Sequence, residues 1–330
     1  MQLHPTYSHE VCRKWMVNLP TKDQIIYPIF VLDSENDTQE IKSMPGVARY
    51  GYKNIVEHLE PLVNKLKLQS VLIFGVLSDE SKKDEEGTYA GTLDENLEGP
   101  VHKAIKNIKK AFPKLMIIPD VCLCAYTSHG HCGLVTKDNK LDNDKSIQRL
   151  AEVAVSYARV GADMIAPSDM MDNRVAEIKK YLKKYNFSHI PVMSYSAKFA
   201  SSYYGPFRDV CKSTPLAFDR QSYQLPLDST QLALRAVERD IQEGTDFIII
   251  KPLGQYLDIA ALVKQKFPST ILAGYQVSGE YAMVAFAAEA GACDFKKILL
   301  EQLRCFKRAG IDVVITYFAP KILEWLSEQN

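Results

Sequence analysis

Three cysteines, Cys122, Cys124 and Cys132, fall within eleven residues of the run Asp120-Val-Cys-Leu-Cys-Ala-Tyr-Thr-Ser-His-Gly-His-Cys-Gly133. Thiolates at this spacing can close on one tetrahedral zinc. The chain has no second Cys-x-x-Cys pair, which argues against a closed four-cysteine structural site. Three sulfurs leave one position open to water or substrate, the catalytic pattern; alternatively His129 or His131 fills it. Two lysines carry a second chemistry. Lys251 directly follows Phe247-Ile-Ile-Ile250, and Lys198 closes Met193-Ser-Tyr-Ser-Ala-Lys198. A lysine at such a place either snorkels to the rim or points inward. Two lysines at one mouth lower each other's pKa, and burial lowers both further. An amine made nucleophilic in this way forms an imine with a ketone or aldehyde.

Between Tyr195 and the helical pattern near Gln231 lies a long stretch without clear periodicity. A loop of that length in a compact fold is expected to be a lid, placed at about 197–225. It carries Tyr204-Gly-Pro-Phe-Arg-Asp209 and Asp219-Arg-Gln-Ser-Tyr-Gln224. Arg208 and Arg220 either grip a substrate carboxylate in bidentate fashion or pair with Asp209 and Asp219. Asp169, five residues before Arg174, reads as a helix cap in preference to an ion pair with that arginine. The run Ser81–Glu86 reads as a solvated loop.

These residues have to be positioned by something. Eight short apolar runs, Ile25–Leu32, Ser70–Val76, Leu115–Leu123, Asp163–Pro167, Ile190–Tyr195, Phe247–Lys251, Thr270–Tyr275 and Asp312–Tyr317, alternate with helical patterns. Weak alternation and many Ile, Val, Phe and Tyr suit parallel strands buried on both faces. Gly161, Gly244 and Gly310 each stand between a helix pattern and a strand pattern, as helix-ending glycines do. Pro61 is expected to kink or restart the helix begun near Asn54. The alternation predicts a single (β/α)8 barrel, of the class α/β, with an extended N-terminal arm at residues 1–22 and a catalytic barrel at 23–330. An open doubly wound sheet is disfavoured, because the first turn, Asp33-Ser-Glu-Asn-Asp37, has no glycine. Active sites of such barrels sit at the C-terminal ends of the strands. Asp120, Ser168, Lys198, Lys251, Tyr275, Ser278 and Tyr317 all fall there.

Lys+Arg and Asp+Glu are both 40 in 330 residues, so no global field draws this chain to nucleic acid or an acidic membrane. No apolar run approaches the length of a membrane span, and Met1–Asn18 lacks the pattern of a secretory signal, which makes the cytosol the expected address. Seven cysteines, an odd count, argue against a disulfide framework. Cys12, Cys211, Cys293 and Cys305 read as small buried or half-buried thiols.

Taken in order, the cysteine run, Ala166-Pro-Ser-Asp-Met-Met-Asp172, Met193-Ser-Tyr-Ser-Ala-Lys-Phe-Ala200, Tyr204-Gly-Pro-Phe-Arg-Asp209, Lys251-Pro…Tyr256-Leu-Asp258 and Val277-Ser-Gly-Glu-Tyr-Ala-Met283 resemble the porphobilinogen synthase (5-aminolevulinate dehydratase) family, in its zinc-dependent branch. The resemblance spans essentially the whole chain. It implies a hydro-lyase that condenses two 5-aminolevulinates to porphobilinogen with loss of two waters, in haem and tetrapyrrole synthesis. It also implies a homo-octamer built from arm-hugging dimers. By the same resemblance Lys251 forms a Schiff base with the first substrate (P site) and Lys198 engages the second (A site). Cys122, Cys124 and Cys132 hold one catalytic zinc per subunit. Arg208 and Arg220, with Gln224 nearby, take the A-site carboxylate, and Ser278 and Tyr317 take the P-site carboxylate. Asp120 and Ser168 tune the site by hydrogen bonding, and Tyr204, Phe207 and Tyr275 join the substrate contacts.

The departures are few. Asn173 replaces the glycine of Asp-Gly-Arg, Gln276 replaces a frequent histidine, and Ser222 stands where a cysteine is common, which speaks against a second zinc site with His131. Two rival readings are a class I aldolase-like barrel and a non-catalytic zinc-binding protein. The first has no use for three cysteines, and the second has none for two strand-end lysines.

Overall fold

The computed structural model describes residues 18–211, 213, 215 and 218–328. The expected arm therefore lies outside the described residues as far as residue 17, together with Cys12 and Trp15.

In chain order the elements are β1 (Ile25–Leu32), β2 (Thr38–Glu40), β3 (Ala48–Gly51), α1 (Asn54–Asn64), β4 (Ser70–Val76), α2 (Pro100–Ala111), β5 (Met116–Val121), α3 (Asn143–Arg159), β6 (Ala166–Pro167), α4 (Arg174–Lys184), β7 (Met193–Lys198), α5 (Gly205–Cys211), α6 (Thr230–Gln242), β8 (Phe247–Lys251), α7 (Leu257–Lys266), β9 (Ile271–Gln276), α8 (Ser278–Glu289), α9 (Phe295–Arg308), β10 (Val313–Thr316) and α10 (Ala319–Glu328). Eight strands run parallel in the order β6-β5-β4-β1-β10-β9-β8-β7. A parallel bridge from Ile165 to Val192 joins the two ends and closes the barrel. All eight apolar runs of the sequence are barrel strands. Every residue of β1 and β4 is buried, as strands covered on both faces must be. Pro28 lacks a ladder donor, yet sits within β1. That edge of β1 pairs with β10 at Ile25 and Ile26 and with β3 at Phe30–Leu32, and Pro28 falls between the two ladders.

Helices end as their glycines require. At Gly161, Gly244 and Gly310 φ lies between 92° and 103°. The following N–H reaches back in each case, from Ala162 to Tyr157, Thr245 to Asp240 and Ile311 to Phe306. Pro61 does not restart α1, because it falls in the last turns of the helix. Three elements differ from expectation. The hairpin β2–β3 extends the barrel edge after β1, and α5 lies inside the stretch expected to be irregular.

Asp169 does not cap α4. The helix starts after Asn173, which takes the left-handed φ of 65°, a conformation that glycine adopts without strain and asparagine tolerates. Glu243 caps it instead, accepting the N–H groups of Val175 at 3.0 Å and Ala176 at 3.3 Å. Asp169 and Arg174 are a buried ion pair at 3.6 Å, and Asp240 holds the same guanidinium at 3.0 and 3.1 Å. Arg174 also donates to Ser194 Oγ at 2.8 Å and to the Tyr195 carbonyl at 3.1 Å. Removing one member of such a cluster leaves an uncompensated buried charge. Arg174→Met is expected to cost about 3–5 kcal/mol, read as a lower urea midpoint at unchanged m-value. An unaltered midpoint would contradict the role given to this arginine.

Candidate active site

The register of β7 against β8 pairs Lys198 with Lys251, and it shifts between Ser194 and Ala197. Without that irregularity Lys198 would face Pro252 and its side chain would turn to the other face of the sheet. The bulge thus brings two amines side by side at the barrel mouth, and Arg174 grips the strand at that point, through Ser194 and Tyr195. Both lysines are about 5% exposed, at 6% and 5%. Neither snorkels to the rim.

Lys251 Nζ lies within a ring of aromatic faces: Tyr275 at 4.5 Å, Phe207 at 5.0 Å, Tyr195 at 5.2 Å, Tyr204 at 5.3 Å and Phe74 at 6.0 Å from the ring centres. Burial, and then the charge of Lys198, lower its pKa to about 7. The amine is therefore substantially unprotonated at neutral pH. Lys198 Nζ donates to the Ser168 carbonyl, so Ser168 serves the lysine through its main chain. Asp120 lies near both lysines. Burial raises its carboxyl to about 6 against the pull of Lys251 and Lys198.

The loop after β5 brings the Sγ atoms of Cys122, Cys124 and Cys132 within 4.8 Å of one another, all buried. Cys122 and Cys124 Sγ are 3.4 Å apart. A tetrahedral ion with bonds of about 2.3 Å to sulfur spaces its sulfurs about 3.8 Å apart. The three donors fit a single metal ion. Hydrogen bonds from Cys122 and Cys124, and then the Arg220 charge, hold the Cys132 thiol well below its usual value. Neither histidine belongs to the cluster. His129 donates to the Glu85 carbonyl at 3.2 Å, and His131 stacks on Phe218 at 3.7 Å with Nδ1 at 3.2 Å from the Tyr223 hydroxyl. Of the two options left open for the fourth position, the geometry favours no histidine there.

The remaining predicted residues surround this centre. Tyr275 and Tyr317 share a hydrogen bond of 2.8 Å between their hydroxyls. Ser278 opens α8, and its Oγ accepts the Phe207 N–H at 3.0 Å. Tyr204 donates to the Lys251 carbonyl at 3.1 Å. Arg220 is buried and donates to the Gly130 carbonyl at 3.0 Å and to that of Ser213. Arg208 is only partly buried, and its charge and that of Arg220 repel, which lowers its pKa after burial does. Buried polar atoms without a partner gather here: Asp120 Oδ1, Tyr195 OH, both amide atoms of Gln224, and Nε of Arg208 and of Arg220. Buried groups in this state are costly unless a ligand satisfies them.

Of the described residues between 199 and 225, Tyr204 and Phe207 lie against Lys251 at the mouth. The ends of this stretch are pinned by the Phe199–Leu225 bridge and the hydrogen bond from Leu225 N–H to the Lys198 carbonyl at 3.0 Å. It rests on the start of α8, where a Cβ on Gly279 would meet the Tyr203 carbonyl oxygen at 2.5 Å. From β3, Arg49 reaches the Asp209 carbonyl at 3.4 Å. Sequence reasoning missed Phe74 and gave Tyr195 no role. Polar residues at strand ends mark the chemistry, but a buried lysine also needs aromatic walls, and Phe74 near the end of β4 is the signal for them.

The sequence model of the family delta-aminolevulinic acid dehydratase matches residues 1–325. The delta-aminolevulinic acid dehydratase of Bos taurus is 50% identical over 329 residues, covering 99% of this chain and 98% of the bovine one. That of Dictyostelium discoideum is 48% identical over 98% of this chain and 96% of its own, and that of Bacillus subtilis 46% identical over 92% and 90%. A crystal structure of the Toxoplasma gondii enzyme with its product porphobilinogen superposes with a TM-score of 0.94 at 34% identity, covering 100% of this chain and 92% of that one. No helix among the described residues is long and apolar enough to cross a membrane. On the match along nearly its whole length and on relatives at half identity, the chain belongs to the delta-aminolevulinic acid dehydratase family and carries its hydro-lyase activity, the synthesis of porphobilinogen.

Proposed function

We propose that the two lysines divide the reaction between two molecules of 5-aminolevulinate. Lys251 attacks the ketone of the P-site molecule. Its neutral amine adds to the carbonyl carbon, and the carbinolamine loses water to leave an imine. Lys198 engages the ketone of the A-site molecule in the same manner. Asp120, adjacent to both amines with its carboxyl raised to about 6, accepts and returns the protons these steps require. Joining two molecules of 5-aminolevulinate into one pyrrole releases two waters in all. Ser278 and Tyr317 receive the P-site carboxylate, while Arg208, Arg220 and Gln224 receive the A-site carboxylate. Tyr204, Phe207 and Tyr275 form apolar walls that keep water from the imines, and residues 197–225 act as the lid. The observation that carries this reading is the pairing of Lys198 with Lys251 in the β7–β8 register beside three clustered cysteines.

Cys122, Cys124 and Cys132 hold zinc in this proposal, and three thiolates suit zinc better than magnesium. When bound, the ion supplies a Lewis acid with an open position for the A-side amine or ketone oxygen. X-ray absorption at the zinc edge tests the ligand set: three sulfurs at about 2.3 Å and one lighter atom are expected, and a shell of four sulfurs or of oxygens alone would refute it. Residues 1–22 form an arm of a homo-octamer in this reading. Deletion of residues 1–20 then yields smaller particles in light scattering, and an intact octamer would count against the arm. The unpaired buried cysteines suit the reducing cytosol.

A further inference from the structure

Glu280 stands at the third position of α8 and is 7% exposed. Its carboxylate accepts three main-chain N–H groups: Val277 at 2.7 Å, Gly254 at 2.6 Å and Leu253 at 3.3 Å. The first bond is an ordinary capping box, in which the side chain at this position reaches back to the residue before the helix. The other two are not. They cross 26 and 27 residues to the loop that leaves Lys251. Leu253 lies two residues beyond that lysine and is fully buried against Gly274, where a Cβ would meet it at 2.5 Å. Ser278 lies two residues before Glu280 and faces the lid. One carboxylate therefore spans the two ends of the P site.

We infer that Glu280 is a positioning residue for the reaction: by bonding the Leu253–Gly254 amides and the Val277 amide at once, it sets Lys251 and Ser278 at the separation one substrate molecule requires. The inference rests on the roles given above to Lys251 and Ser278.

All three groups facing the carboxylate are donors, so only an acceptor-only group satisfies them together. A glutamine would turn an NH2 toward one of them. Burial raises the Glu280 pKa to about 7, and the three amides pull it back. The titratable groups around it are Tyr204 of the lid, Tyr256 before α7, and Glu301 and Cys305 of α9, none of them cationic at neutral pH. A cavity of about 370 Å³ between α7, α8 and α9 reaches Glu280 from outside the barrel, past Gln276 and Gln302. Protons from solvent therefore reach the carboxylate without passing the lid. Protonation puts an O–H against an N–H and loosens the tie, so P-site binding weakens as pH falls through about 7.

Three variants test this: Glu280→Gln; Gly254→Ala, whose Cβ would stand 2.7 Å from Glu280 Oε1 and push it off the loop without changing its charge; and Glu301→Gln, which lines the cavity without touching the amides. Glu280→Gln and Gly254→Ala are each expected to lower kcat/KM for 5-aminolevulinate about 10- to 100-fold, the range for a small misplacement of reacting groups, with KM raised by at least the factor by which kcat falls. Borohydride trapping at Lys251 under sub-saturating substrate slows by the same factor. Between about pH 7 and 6 the acid limb of kcat/KM falls more steeply in the parent enzyme than in Glu280→Gln, which has lost one of the groups that titrate there. Glu301→Gln changes none of these. Parent enzyme that fails to label at Lys251 would remove the assignment of that lysine, and this inference with it. Parent enzyme labelled at Lys251, beside a folded Glu280→Gln or Gly254→Ala with unaltered KM and trapping rate, would overturn the inference alone.

Discussion

Lys251→Met is expected to reduce turnover of 5-aminolevulinate by roughly 10⁴-fold or more, the scale seen when a covalent nucleophile is removed from an enzyme. Methionine fits the aromatic ring of Phe74, Tyr195, Tyr204, Phe207 and Tyr275 and relieves the cost of a desolvated amine. The variant is therefore expected to melt no lower than the parent. Lys251→Arg separates the two properties of the side chain. It keeps the cation and loses the nucleophile, since a guanidinium is never deprotonated in this range. An equal loss in both variants assigns the effect to the amine itself, and an Arg variant with substantial activity would assign it to charge. The direction of the pH effect follows from the lowered pKa. Above about 7 the amine is neutral and attacks; below it the amine is protonated, and kcat/KM falls as pH drops. Steady-state kinetics from pH 5 to 9 reads this limb directly.

Loss of the metal is expected to be the second large effect. A Lewis acid at a reacting oxygen is worth several kcal/mol, and each 1.36 kcal/mol is tenfold in rate. Chelation is thus expected to lower turnover by about 10²-fold or more, and zinc under reducing conditions to restore it. Cys124→Ala should show the same loss without rescue by zinc. Trapping at Lys251 should survive in both cases, because imine formation at that amine needs no metal. Full activity after complete removal of zinc would refute the catalytic role of the cysteine cluster, whereas loss of trapping at Lys251 would show that the cysteines support the fold of the mouth.

Much of this was legible in the sequence. Eight apolar runs announced eight strands because a barrel strand must be apolar on both faces, and strand ends carrying polar groups pointed to the mouth. The illegible parts depended on distant partners. Asp169 read as a helix cap, yet it pairs with Arg174, whose strongest partner is Asp240, 66 residues away. The register shift between Ser194 and Ala197 decides where Lys198 points, and no spacing within β7 alone reveals it. Helix α5 is too short to show a period, and β2 is a three-residue strand without a buried face. Glu280 stood in the sequence only as one residue of the Val277–Met283 motif, because its bonds run to the loop after Lys251, 26 and 27 residues away.

The most direct test of the two-lysine mechanism is borohydride reduction of the enzyme in the presence of 5-aminolevulinate, followed by peptide mapping by mass spectrometry. The expected result is reduced adduct on Lys251 and on Lys198 and on no other lysine. Turnover-competent enzyme that yields adduct on neither, or on a lysine elsewhere, would contradict the mechanism.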